Sequence, residues 1–103
     1  MLQIDQSQAG CTVQVAVGAA FEVRLPENPT TGFRWHIRSD GTPFCTRLDD
    51  HFEAPAEVPG CGGVHSWRFH ASQPGQGKIE FVYQRQWEQK AGQDFHVFIE
   101  IKP

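Results

Sequence analysis

No stretch of this sequence is apolar for long enough to cross a bilayer, and none of useful length carries the 3.6-residue stripe of an amphipathic helix. The first absence leaves no spanning helix to place; the second argues against a helical architecture. Positive charge is not in excess. Nine Lys and Arg stand against twelve Asp and Glu, a net charge of −3, so the chain has no basic footprint for nucleic acid. Cysteine is scarce and odd in number: Cys11, Cys45 and Cys61 cannot form a complete disulfide framework. Nothing in the sequence sets the geometry that a Cys11–Cys45 bridge requires. The N-terminal Met1–Asp5 lacks the basic region and long apolar core of a signal peptide. The sequence as it stands therefore fits a cytoplasmic chain or one relieved of its signal, and does not choose between them. No repeat or low-complexity tract is present. A chain of 103 residues supports one domain, 1–103, around one core.

What the sequence does have is alternation. Cys11, Val13, Val15 and Val17 alternate with Thr12, Gln14 and Ala16, and Gly18 then marks a turn. Cys11 is expected to be a small core residue of that run. Phe21, Val23 and Leu25 alternate with Glu22 and Arg24; Phe33, Trp35 and Ile37 with Arg34 and His36. A less regular strand is read over 44–52. Trp67, Phe69 and Ala71 face inward with Arg68 and His70 outward. Ile79, Phe81 and Tyr83 alternate with polar neighbours, and a last strand buries Phe95, Val97, Ile99 and Ile101. Period two means one buried face and one wet face. Seven to eight short strands at this spacing predict an immunoglobulin-like antiparallel β-sandwich, with a small open barrel as the alternative.

Between the second and third runs lies Asn28-Pro29-Thr30-Thr31-Gly32-Phe33. Pro29 fixes its own φ and pushes Asn28 out of the helical region. Gly32 permits a backbone angle that a β-carbon forbids. The result is a pre-shaped loop, uncharged except at its Glu27 edge and presented rather than buried. Chain direction reverses at each connection of an antiparallel sandwich. Three unusual connections then share one end: this hexapeptide, the Gly60-Cys61-Gly62-Gly63-Val64 segment, and the polar stretch 85–92 with Arg85 and Trp87. The connections at the other end, around 39–43 and 74–77, are ordinary turns. A single-ended set of shaped loops reads as a docking surface.

Asn-Pro-Thr-Thr-Gly-Phe at 28–33, Gly-Cys-Gly-Gly at 60–63 followed by Trp67 and Phe69, and Tyr83-Gln84-Arg85-Gln86-Trp87 resemble the three signature segments of the chagasin family. Its members are inhibitors of papain-like cysteine proteases found in bacteria and protozoa. Order and strand context match over essentially the whole chain. The third segment departs from the family's Arg-Pro-Trp: Gln86 stands at the proline's place. The resemblance implies a monomeric, reversible inhibitor with no cofactor, whose partner is a papain-like cysteine protease. It also implies a wedge. Thr30, Thr31 and Gly32 would lie nearest the target's nucleophile, flanked by Asn28, Pro29 and Phe33. Gly60, Cys61, Gly62, Gly63 and Val64 would track one wall of the cleft, and Arg85 and Trp87 would clasp the other. A kinked Pro-Thr-Thr-Gly loop fills such a site without presenting a scissile carbonyl. Trp87 has the chemistry of a hot spot.

Plainer readings compete. Trp35 and Trp67 have inward parity and are expected in the core, and Phe33 reads as an anchor for the loop. Cys61 and His65 could be drawn as a thiol–imidazole pair, or with Cys45 as metal ligands, but neither spacing matches a zinc knuckle. Catalysis would also need an orienting group and an anion-stabilising site. No catalytic residue and no metal is assigned. The alternative function is a non-catalytic binding module for carbohydrate or protein, using Trp87 as a stacking platform at the same end.

Overall fold

A computed structural model describes residues 1–28, 32–54, 62–85 and 93–103. Among these residues the chain forms eight strands: β1 (Leu2–Ile4), β2 (Thr12–Ala16), β3 (Ala20–Glu27), β4 (Phe33–Asp40), β5 (Cys45–Glu53), β6 (Gly63–Ala71), β7 (Gly75–Arg85) and β8 (Gln93–Lys102). They build two four-stranded sheets, ordered β1-β3-β6-β5 and β2-β8-β7-β4. The inward parities of both sheets meet in one core. Phe21, Val23, Leu25, Trp67 and Phe69 from the first face Trp35, Ile79, Phe81, Phe95, Val97 and Ile99 from the second, all buried. The all-β sandwich expected from the alternation is the fold observed.

The six longer strands pair antiparallel as expected, but each sheet gains a parallel edge. β1 runs parallel to β3, with Ile4 opposite Val23, and β2 runs parallel to β8, with Val15 opposite Ile101. The chain changes sheets between them at a 3₁₀ turn, Gln6–Gln8, closed by a reciprocal cap. The Asp5 carboxylate accepts from the Ser7 N–H, and the Gln8 side chain accepts from the Asp5 N–H, both at 2.9 Å.

Two inward assignments fail. Cys11 is exposed, and Val17 is 39% exposed. Both flank β2 rather than lie in it, and β2 is an edge strand with a neighbour on one side only. Parity assigns a face within a strand, and both residues lie just beyond the ends of this one. Of that run only Val15 is buried, with Val13 partly covered. The irregular fifth run has a cause as well. A bulge between Arg47 and Asp49 breaks the register of β5 with β6, and Leu48 projects from it, 54% exposed. Phe44 sits in the preceding turn and packs on the core from there. Cys45 and Cys11 are both free thiols. Burial, then the neighbouring Asp40 carboxylate, pushes the Cys45 thiol up to about 11.

Candidate binding edge

The strand registers bring the three loops to one end. Glu27, last in β3, is opposite Gly63, first in β6; Val64 is opposite Glu53, last in β5. In the other sheet Phe33 opens β4 opposite Arg85, last in β7, and Tyr83 is opposite Gln93, first in β8. The described flanks of the three connections, Glu27 and Phe33, Glu53 and Gly63, and Arg85 and Gln93, therefore all lie at this edge.

The roots of the first loop are held by polar contacts that cross between sheets and by aromatic contacts between β4 and β7 of the second sheet. Glu27 continues the inward parity of Phe21, Val23 and Leu25 and is 2% exposed. Its Oε2 accepts the Trp35 backbone N–H at 2.8 Å, an outward-facing donor of edge strand β4. The Trp35 indole N–H returns the link, donating to the Pro26 carbonyl at 2.8 Å. The Tyr83 hydroxyl accepts from the Asn28 N–H at 3.0 Å. Phe33 stacks on Tyr83 at 5.3 Å, Trp35 leans on the same ring at 4.7 Å, and the Arg85 guanidinium lies 4.6 Å over Phe33. Each such aromatic pair adds about 0.5–1.5 kcal/mol beyond its area. Gly32, at the loop's far root, has φ +84°, the left-handed conformation the sequence reserved a glycine for.

The second loop is rooted by close backbone approach. A β-carbon on Gly63 would overlap the Glu53 carbonyl oxygen and sit 2.9 Å from the Ala54 Cα. One on Gly62 would lie 3.0 Å from the Glu27 carbonyl oxygen. These glycines are required by the chain's own strands, a use distinct from the approach to a partner's wall that the sequence suggested. Next to them His65 bridges two carboxylates. Its Nδ1 is 3.1 Å from Glu27 Oε1 and its Nε2 is 2.6 Å from Asp50 Oδ2. Its ring lies flat on Trp67, with centroids 4.0 Å apart and planes 2° from parallel.

Of the residues singled out in the sequence, Asn28, Gly32, Phe33, Gly62, Gly63, Val64 and Arg85 are gathered at this edge. Pro29, Thr30, Thr31, Gly60, Cys61, Gln86 and Trp87 lie outside the described residues. Trp35 and Trp67 are buried as expected. The Cys61 half of the Cys61–His65 pair lies outside the described residues, and Cys45, drawn with them as a metal set, sits opposite Ala71 at the far end of β6 from His65. The sequence reading missed the bracing contacts of Glu27, Asp50 and the Tyr83 hydroxyl, and it considered His65 only beside cysteines. The signal for the first was present, since the period-two run that buries Leu25 continues to position 27. Glu80, Asp94 and His96 also bring one donor atom each within 4.8 Å of one another on the outer face of β7 and β8. Lys78 and Arg38 already attend Glu80 there, at 3.6 and 3.9 Å.

The family model for chagasin family peptidase inhibitor I42 matches residues 14–101, a span that begins in β2 and takes in all three loops. The chain belongs to the chagasin family. Two curated relatives agree. Amoebiasin-1 of Entamoeba histolytica is 32% identical over 95 residues, covering 87% of this chain and 88% of its own. Chagasin of Trypanosoma cruzi is 29% identical over 90 residues, covering 82% of each. Among solved structures, the cysteine protease inhibitor EhICP2 of Entamoeba histolytica superposes with a TM-score of 0.83 at 19% identity, over 98% of this chain and 94% of that one. PbICP-C, solved in complex with falcipain-2, superposes with a TM-score of 0.68 at 16% identity, over 99% and 100%. At such identities the two structures establish a shared fold.

Proposed function

We propose that residues 1–103 act as one unit that inhibits papain-like cysteine proteases reversibly, seating the edge formed by 28–33, 60–64 and 85–92 in the active-site cleft. The observation that carries the reading is the convergence of three loop roots at one braced end of a chagasin-family sandwich. EhICP2, named as a cysteine protease inhibitor, and PbICP-C, bound to falcipain-2, support the choice of target class. In this reading Asn28, Pro29, Thr30, Thr31, Gly32 and Phe33 fill the centre of the cleft. Gly60, Cys61, Gly62, Gly63 and Val64 follow one wall as extended backbone. Arg85 and Trp87 hold the other.

The energetics favour a wedge over a substrate. Loop roots fixed by Glu27, Trp35 and Tyr83 lose little further freedom on docking, so more of the contact energy appears as affinity. An interface of the usual protease–inhibitor size buries about 1,600 Å² and supports nanomolar binding when its anchors are good. A glycan platform would need aromatic rings exposed in line. At the described part of this edge Trp35 is buried, and Phe33 and Tyr83 stack on each other. The test is titration of papain and cathepsin L with the purified protein. Stoichiometric, reversible loss of activity is expected, with serine and metalloproteases untouched. Full activity of both cysteine proteases at stoichiometric protein would remove the proposal.

A further inference from the structure

We infer that the His65 bridge is a proton-dependent brace that sets the first two loops relative to one another, making inhibition weaken as pH rises. The inference rests on the docking reading above for its consequence, but not for its chemistry. His65 stands on β6 just after the second loop, Glu27 on β3 just before the first, and Asp50 on β5 just before the second. One imidazole therefore ties together the three strand ends from which both loops spring.

The proton count is fixed by the donor inventory. An ionised carboxylate only accepts, so each of the two contacts, 3.1 Å to Glu27 and 2.6 Å to Asp50, needs a hydrogen on the facing ring nitrogen. A neutral imidazole carries one. With both carboxylates ionised, the intact bridge is an imidazolium. Two further features fit that charge. The ring lies flat on Trp67 at 4.0 Å, where a cation is attracted by the indole face. Glu27 is buried, and its second oxygen accepts the Trp35 N–H, so that contact draws its hydrogen from the backbone and not from the carboxyl.

Losing the proton leaves a lone pair facing a carboxylate oxygen, and one contact must open. Asp50 is the one to leave. Its side chain is 37% exposed, and its Oδ1 already pairs with Arg47 at 3.3 Å, whereas Glu27 has no exposed surface to turn to. The Asp50 side of the ring opens onto a cleft of about 460 Å³, where the other titratable or charged groups are His36 and Asp40 of β4 and Arg47 of β5. Protons reach it from solvent. β5 then loses its link through His65 to Glu27 of β3, while the Asp49–Arg68 pair and the backbone ladder still hold it to β6. The fraction of molecules with both loops in register falls, and apparent affinity falls with it.

The experiment has two arms. Ring ¹⁵N spectra of the free protein across about pH 5 to 8 count the hydrogens on His65 directly. Two are expected at the acid end and one at the alkaline end, whatever the protein binds. A ring carrying one hydrogen throughout overturns the inference. The second arm measures inhibition of active-site-titrated papain by the parent and by Asp50→Asn over the same range. In that variant the new side-chain amide donates to Nε2 while Nδ1–H donates to Glu27, so the bridge closes on a neutral ring. The parent's inhibition constant should rise about threefold or more from the acid to the alkaline end relative to the variant's. Glu27→Gln, whose amide can donate to Nδ1 and still accept from Trp35, should flatten the profile in the same way. A simple structural role would shift all constants equally at every pH, and parallel profiles for parent and variants would overturn the brace. If the parent fails to inhibit at any pH, the docking reading falls and the hydrogen count alone decides the bridge.

Discussion

Replacing Gly63 with Ala tests whether the second loop is set by the chain's own backbone. The new β-carbon would overlap the Glu53 carbonyl oxygen, with the carbonyl carbon at 2.8 Å and the Ala54 Cα at 2.9 Å, where ordinary contact begins at 3.4 Å. These are backbone atoms, so no rotamer change relieves them. The end of β5 must retreat by roughly half an ångström or more, straining the Glu53–Val64 pair that closes the ladder. Overpacking of this kind costs about 1–3 kcal/mol. With an unfolding entropy of about 2.1 cal/mol/K per residue, that is a fall in Tm of roughly 5–15 °C for a chain of this size. Because the displaced strand end launches the 54–62 segment, inhibition of papain should weaken as well, by about tenfold for each 1.4 kcal/mol of lost docking energy. Thermal unfolding by circular dichroism and an inhibition titration read the two effects. An alanine variant with unchanged Tm and unchanged inhibition would refute the account of Gly63 as a site of obligatory close approach.

Trp87→Ala should weaken papain inhibition by about 2 kcal/mol or more while leaving Tm nearly unchanged, and a large loss of Tm with full inhibition would assign the residue to the fold. The Asp40 carboxyl is held below its ordinary range, first by the Thr42 hydroxyl at 2.6 Å and then by the Thr42 N–H at 3.1 Å. Its contribution to stability is therefore full above the ordinary carboxylate range and is lost as pH falls through the lowered value. Thr42→Val should raise the Asp40 titration measured by NMR and reduce stability on the neutral side relative to the acid side. Cys45, with its thiol pushed up to about 11 by burial, should resist a thiol reagent at pH 8 until the protein unfolds, whereas exposed Cys11 should react at once; peptide mapping of the label distinguishes them.

Most of the frame was legible because period two is a local signal. Trp35, Trp67, Phe81 and Val97 needed only their neighbours to be placed inward. The end shared by the three loops followed from counting reversals, and their family from residues quoted in order. What escaped was set by distance along the chain. Glu27 and His65 are 38 residues apart, and a carboxylate at an inward position looks like a strand end until its partner is seen. β1 is three residues long and is held by a parallel pairing with β3, which no short window reveals. Cys11 and Val17 show the limit of parity itself, which assigns a face and says nothing of depth.

The parallel attachment of β1 and β2 has a practical result. β1 begins beside Phe21 and β8 ends beside Ala16, so both chain termini lie at the end of the sandwich opposite Glu27, Gly63 and Arg85. A biosensor tether, a fluorescent label or a fused carrier joined at Met1 or Pro103 leaves from the far pole. Kinetics recorded on an immobilised sample should therefore match those in free solution, whichever terminus is used for capture.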